Sequence, residues 1–255
     1  MLELKNICSG YGKLDVLKGI SASFEKGELT SIIGVNGCGK STLLKTVVGI
    51  LSHREGNILV DGGDISTMDR NEVAKRISYL PQGKSTPDMT VRQMVLHGRF
   101  PYLKYPRRYG KEDRIVAEGI ITELGLADNA EAALSSLSGG RRQIAYIAMA
   151  LAQNTDYILL DEPTTYLDIS HQLSLMKMLK RLSLSGKGII TVMHDLPMAF
   201  SFSDKIVIIN NGEIVYQGAP ENIYNSELIK AIFGISIKRI AGEYSYDLRG
   251  KFDYV

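Results

Sequence analysis

Gly34-Val35-Asn36-Gly37-Cys38-Gly39-Lys40-Ser41 is the stretch on which the fold turns. It fits the eight-position pattern Gly-x-x-x-x-Gly-Lys-Ser, whose glycines let successive backbone N–H groups turn inward around a polyphosphate. The context agrees. Leu29 to Ile33 is a short apolar run that reads as a buried strand, and Ser41 to Val48 reads as a helix that Gly49 can terminate. A loop opening a helix N-terminus also offers an anion a favourable dipole. Lys40 is expected to reach the β- and γ-phosphates of a nucleotide and the Ser41 hydroxyl to bind Mg²⁺. Asn36, Gly37, Cys38, Gly39 and Thr42 complete the cradle. Cys38 itself reads as a small neutral spacer. Beside Lys40 and a helix N-terminus its thiol is expected to ionise more readily than usual, so that alkylation inactivates the protein and ATP protects it.

Outward from the loop, apolar runs recur as strand candidates at Ile77 to Leu80, Tyr157 to Leu160, Gly188 to Met193 and Lys205 to Ile209. Helical spacing at Ser170 to Leu182 and Leu196 to Phe202 separates some of them, which argues for a parallel α/β sheet. Leu2 to Cys8 and Val16 to Phe24 alternate as sheet instead, and Gly27 marks a turn. Asn211-Gly212 between two apolar runs predicts a hairpin. From about Gly83 to Asp156 the periodicity is helical, at Val91 to His97, Glu112 to Leu124 and Arg141 to Gln153. That is an all-helical insertion between two strands of the core. Helical spacing returns from Ala219 to Phe233, and the rest of the tail takes no assignment.

Composition narrows the class. The chain has 255 residues, 44% of them hydrophobic and 23% charged, with a formal net charge of +2. Nothing here calls for a nucleic-acid partner. No apolar run reaches the roughly 18 residues of a membrane span, and no basic-then-apolar leader opens the chain. Cys8 and Cys38 fit a reducing compartment. The expected location is cytoplasmic.

Tyr157-Ile158-Leu159-Leu160-Asp161-Glu162 is an apolar strand that delivers two carboxylates at its end. Asp161 is placed to hold Mg²⁺ through water, and Glu162 to orient and deprotonate an attacking water. Neighbouring acids on a strand normally point to opposite faces, so one of the two could merely solvate the strand end. Leu137-Ser138-Gly139-Gly140-Arg141-Arg142-Gln143 then precedes a predicted helix, a second N-terminus competent to face an anion.

With this segment the chain resembles the ABC ATPase family, whose signature runs Leu-Ser-Gly-Gly-Gln. Arg141 stands where the family has Gln. The resemblance runs in order over nearly the whole chain. It implies that Tyr11 stacks on adenine, that Gln82 senses Mg²⁺, water and the permease, that Asp168 communicates across a dimer, and that His194 contacts the γ-phosphate. It implies a P-loop NTPase fold of ABC ATPase type: a parallel-sheet core, an antiparallel β subdomain and an inserted all-helical subdomain. One domain would span 1–255, with a catalytic lobe from 1–82 and 156–255 and a helical subdomain over 83–155. Two subunits would pack head to tail as a homodimer, each ATP lying between one subunit's Lys40 and Asp161 and the other's Ser138, Gly139 and Gly140.

Leu80-Pro81-Gln82, Met89-Thr90-Val91, Gly98-Arg99-Phe100-Pro101-Tyr102 and Glu162 to Gln172 resemble most closely the ATPases of importers for iron complexes (siderophores, haem) and cobalamin. The partners implied are two integral-membrane permease subunits and, indirectly, a substrate-binding protein, with this chain peripheral on the cytoplasmic face. A soluble non-transport ABC ATPase and an exporter ATPase are the alternatives. The stretch from Phe100 to Arg114 mixes aromatics with Lys and Arg; it reads as a solvated loop, or as a contact with a permease or anionic headgroups, before a nucleic-acid surface.

Overall fold

The computed structural model describes residues 1–83, 86–240 and 242–247. β1 (Leu2–Tyr11), β2 (Leu14–Phe24) and β3 (Leu29–Ile33) lead into α1 (Lys40–Val47), followed by β4 (His53–Val60), β5 (Gly63–Asp64), α2 (Arg70–Arg76) and β6 (Ile77–Leu80). Three helices follow, α3 (Val91–His97), α4 (Lys111–Glu123) and α5 (Gly139–Ala152), before β7 (Tyr157–Asp161). The chain continues with α6 (Ile169–Leu184), β8 (Gly188–Val192), α7 (Leu196–Phe202), β9 (Lys205–Asn210), β10 (Glu213–Gly218), α8 (Glu227–Phe233), β11 (Ser236–Ile240) and β12 (Glu243–Asp247).

A six-stranded sheet runs β10-β9-β3-β8-β7-β6; its strands from β9 to β6 are parallel, and β10 is antiparallel to β9. An antiparallel sheet, β2-β1-β4-β5, faces it across α1. Alternation along the strands divides the apolar interior into two cores. Ile158 and Leu160 of β7 face the helical side, whereas Tyr157 and Leu159 face α1 and the antiparallel sheet. Ile206 and Ile208 of β9 divide from Val207 and Ile209 in the same way. Covered on both faces, these strands read as unbroken apolar runs.

Two of the segments singled out by family resemblance, around Thr90 and around Arg99, turn out to be fasteners of the helical region. Thr90 caps α3: its Oγ1 accepts from the Gln93 amide at 3.2 Å, and Gln93 Oε1 accepts from the Thr90 amide at 2.9 Å. At Gly98 a Cβ would lie 2.1 Å from the Met149 carbonyl oxygen, so only glycine lets α3 approach α5 this closely. Arg99 is buried; its Nη1 donates to Ala152 O at 3.0 Å and its Nε to Asp113 Oδ1 at 3.1 Å. Beyond it, Arg99 lies over the Tyr102 ring at 3.9 Å and Arg107 over Phe100 at 4.6 Å, while residues 104–108 are exposed, as a solvated loop would be.

One expectation needs correction, and two stretches without a reading take shape. The helix expected from Ala219 to Phe233 is broken: Pro220–Asn222 forms a 3₁₀ turn, and α8 starts afresh at Glu227 with Ser226 as its cap. The unassigned tail contains the antiparallel pair β11 and β12; residues 248–255 lie outside the described residues. β4 gave no strand signal, because a register shift opposite Lys5 to Cys8, with Gly56 at φ +88°, interrupts its alternation. Among the described residues no helix is long and apolar enough to cross a membrane.

Candidate nucleotide site

The loop after β3 is fixed from below. A Cβ on Gly34 would sit 2.3 Å from Ile209 O and 2.6 Å from Cys38 Sγ, so the loop folds down onto the end of β9 only with glycine there. The Asn211-Gly212 turn between β9 and β10 reaches the same loop, its Gly212 amide donating to Cys38 O at 3.1 Å. Both turn residues have positive φ, as the sequence predicts for such a hairpin. Gly39 precedes α1 at φ +113°, and Lys40 curls back to donate to Gly34 O at 2.8 Å and Val35 O at 3.0 Å. Above this ring lies a cavity of about 460 Å³ lined by Asn36, Gly37, Gly39, Lys40, Ser41, Thr42, Gln82, Glu162 and His194. A buried ammonium beside a helix N-terminus facing an open cavity suits a polyphosphate.

Asp161 ends β7 almost wholly buried, and its Oδ1 accepts from Ser41 Oγ at 3.0 Å. Tyr79 Oη donates to the other carboxylate oxygen at 3.3 Å. Burial pushes the Asp161 carboxyl up; the Ser41 hydroxyl pulls it back, and the neighbouring Glu162 charge raises it again. Glu162 does not alternate to the far face of the strand. Its φ is +52°, a left-handed turn that brings its carboxylate to the same cavity. There Oε2 accepts from Gln82 Nε2 and Oε1 meets His194 Nε2, both at 2.5 Å. Two carboxylates on one side of a phosphate cradle therefore replace the alternative in which one only solvates the strand end.

The Ser138 segment lies elsewhere. Ser138 caps α5, its Oγ accepting from the Arg141 amide at 3.3 Å. Ser138 and Gly140 line a groove with Tyr166, Asp168 and His171, while Gly139 lines one shared with Gln82 and Glu162. Asp168 caps α6, and the His171 amide and ring hold its carboxyl down at about 2. Arg141 turns back onto its own chain, donating to Gly125 O at 2.9 Å and Asn129 Oδ1 at 3.2 Å. Tyr11 is half exposed and outside the cavity lining. Ser138, Gly140, Asp168 and Tyr11 are thus not gathered around the cavity of their own chain.

Residues 17–165 match the family model described as ABC transporter. The chain belongs to the ABC transporter family. It is 42% identical over 236 residues to the ferric enterobactin transport ATP-binding protein FepC of Escherichia coli (strain K12), covering 92% of this chain and 87% of that protein. A chain from an inward-facing ABC transporter described as of metal-chelate type superposes with a TM-score of 0.82 at 27% identity, over 97% of this chain and 98% of its own. The dimeric ATP-binding cassette MJ0796, solved in a post-hydrolysis state with ADP and Pi, gives a TM-score of 0.76 at 29% identity, over 86% and 99%. The cassette is an ATP-binding, ATP-hydrolysing subunit.

Sequence reasoning missed parts of the cassette's site. Tyr79 and the Asn211-Gly212 tip read only as strand and turn; strand alternation could have directed Tyr79 toward Asp161, but nothing local tells that the turn touches the phosphate loop. The expected easy ionisation of Cys38 is also corrected. Its side chain is 5% exposed within the α1 core, and burial raises the thiol pKa by more than Lys40 lowers it. Under native conditions an alkylating reagent should therefore modify Cys8 first and Cys38 only in denaturant, as read by peptide mass spectrometry. Rapid native modification of Cys38 that ATP prevents would restore the original expectation.

Proposed function

We propose that this chain energises the import of an iron complex, a ferric siderophore or haem, with cobalamin the related cargo. The observation that carries the catalytic part is Glu162 held between Gln82 and His194 at the mouth of the phosphate cradle. In this reading the loop amides, Lys40 and Thr42 grip the phosphates, and Tyr11 stacks on adenine. Glu162 takes the proton of the attacking water while Gln82 orients it, and His194 faces the γ-phosphate.

The donor set also fits Mg²⁺. The Ser41 hydroxyl and the Asp161 carboxylate lie in direct contact where a hard cation takes oxygen ligands, with Gln82 nearby. Among the described residues no group of three His, Cys, Asp or Glu side chains forms a metal cage, in keeping with an ion that arrives on phosphate oxygens. When bound, Mg²⁺ would neutralise charge on the phosphates.

Ser138 and Gly140 line a groove with Asp168 that does not include Lys40, which supports a site finished by a second copy of the chain, with Asp168 at the contact. The assembly would comprise this homodimer, two integral-membrane permease subunits and, indirectly, a substrate-binding protein, with the cassettes peripheral on the cytoplasmic face. The test is ATP turnover per chain against protein concentration. A steep rise supports the shared site; a flat profile at full speed removes it. Co-purification of two polytopic chains, and the ligand of the associated binding protein, decide transport and cargo.

A further inference from the structure

β12 sits against α7, the helix that begins two residues after His194, and its partner β11 packs against α8. Tyr244 and Tyr246 alternate onto one face of β12. The Tyr244 ring is buried against Phe200 at 5.6 Å and Tyr224 at 5.1 Å, with Arg239 5.3 Å from its centre on the outer side. Tyr246 lies on the same face toward the other end of the helix, near the Asp195 carboxylate, and is 37% exposed. The spacings agree: two strand residues advance about 7 Å, and the four helix residues from Leu196 to Phe200 about 6 Å. Across the pair, Ile237 opposes Tyr246 in register and is fully buried. Asp195 meanwhile caps α7, its Oδ1 accepting from the Met198 amide at 2.8 Å.

His194 itself is half exposed, and its ring meets the Glu162 carboxylate. Met193 before it is tied to the core sheet, its amide donating to Ile32 O at 3.1 Å. The chain after it runs into α7, and β12 packs along that helix with Tyr244 on Phe200.

We propose that the β11–β12 pair is a brace for the catalytic histidine, with Tyr244 and Tyr246 as positioning residues that hold α7 so that His194 stays against Glu162. This rests on the role assigned to His194 in the proposed function. Neither tyrosine touches the nucleotide cavity, so the brace should act on turnover and not on grip.

Full-length Tyr244→Ala, Tyr246→Ala and Tyr244→Phe proteins test it through ATP hydrolysis, ATP affinity by calorimetry, and the His194 ring-proton NMR signals without nucleotide. Both alanine variants are expected to lower kcat about tenfold, to leave the ATP Kd within about twofold, and to shift the His194 signals. Tyr244→Phe should match the parent, because among the described residues the Tyr244 hydroxyl is buried without a hydrogen-bond partner. Full kcat with unshifted His194 signals in Tyr246→Ala overturns the brace. So does a loss of kcat matched by an equal loss of affinity. If the parent protein hydrolyses no ATP, the catalytic reading fails by itself, while the His194 signals still decide whether the brace exists.

Discussion

Glu162→Gln should bind ATP as the parent does, lose turnover by about 10³-fold or more, and accumulate as an ATP-bound dimer. The physical reason is local. The glutamine side chain has the same length, so it can still reach between Gln82 and His194, but it cannot take a proton from water. Phosphate grip comes from the loop after β3 and from Lys40, which the substitution leaves alone. If hydrolysis is what separates the two copies, a chain that binds but cannot hydrolyse stays closed. Single-turnover assays read the first effect, and gel filtration with ATP at a dimer's elution volume reads the second. Hydrolysis at the parental rate would remove Glu162 from the mechanism.

Arg99→Met should lower stability by about 3–5 kcal/mol, because it leaves a buried carboxylate without its cation. The side chains of Arg99 and Asp113 are 10% and 15% exposed. Asp113 Oδ2 also accepts from the Gly110 amide at 2.9 Å, so the same carboxylate anchors the start of α4. Ala152 O, at the end of α5, loses its donor as well. At about 2–4 °C per kcal/mol, Tm should fall by roughly 10 °C in thermal unfolding followed by circular dichroism. The double variant Arg99→Met with Asp113→Leu should recover much of the loss, since no unpaired charge then stays buried. A single variant within about 2 °C of the parent would show that the pair holds nothing. The Arg99 pair thus makes the segment that resembles importer ATPases a device for locking three helices together.

The readable parts of the sequence were those where one residue type meets one local demand. Gly34 to Ser41 has a required glycine at a close approach, a lysine and a hydroxyl in fixed order, and an apolar strand before it. The strands buried on both faces could be found because every residue from Leu29 to Ile33 and from Tyr157 to Asp161 is buried. β4 escaped because its bulge breaks the alternation, and α2 because only Val73 on it is buried. In the site, tertiary contacts decided what sequence could not. The Cys38 thiol answers to the core around α1 more than to its neighbour Lys40, and Arg141 spends its guanidinium on Gly125 and Asn129. The direction of the Glu162 side chain depends on a single backbone angle that no pattern of residue types announces.

That angle has a meaning for how such a chain evolves. A left-handed backbone is free for glycine and costs a residue with a long side chain on the order of 1 kcal/mol. A chain selected only for durability would settle on glycine at this corner and fold more firmly for it. The acid that stands there instead is a place where robustness has been traded for chemistry.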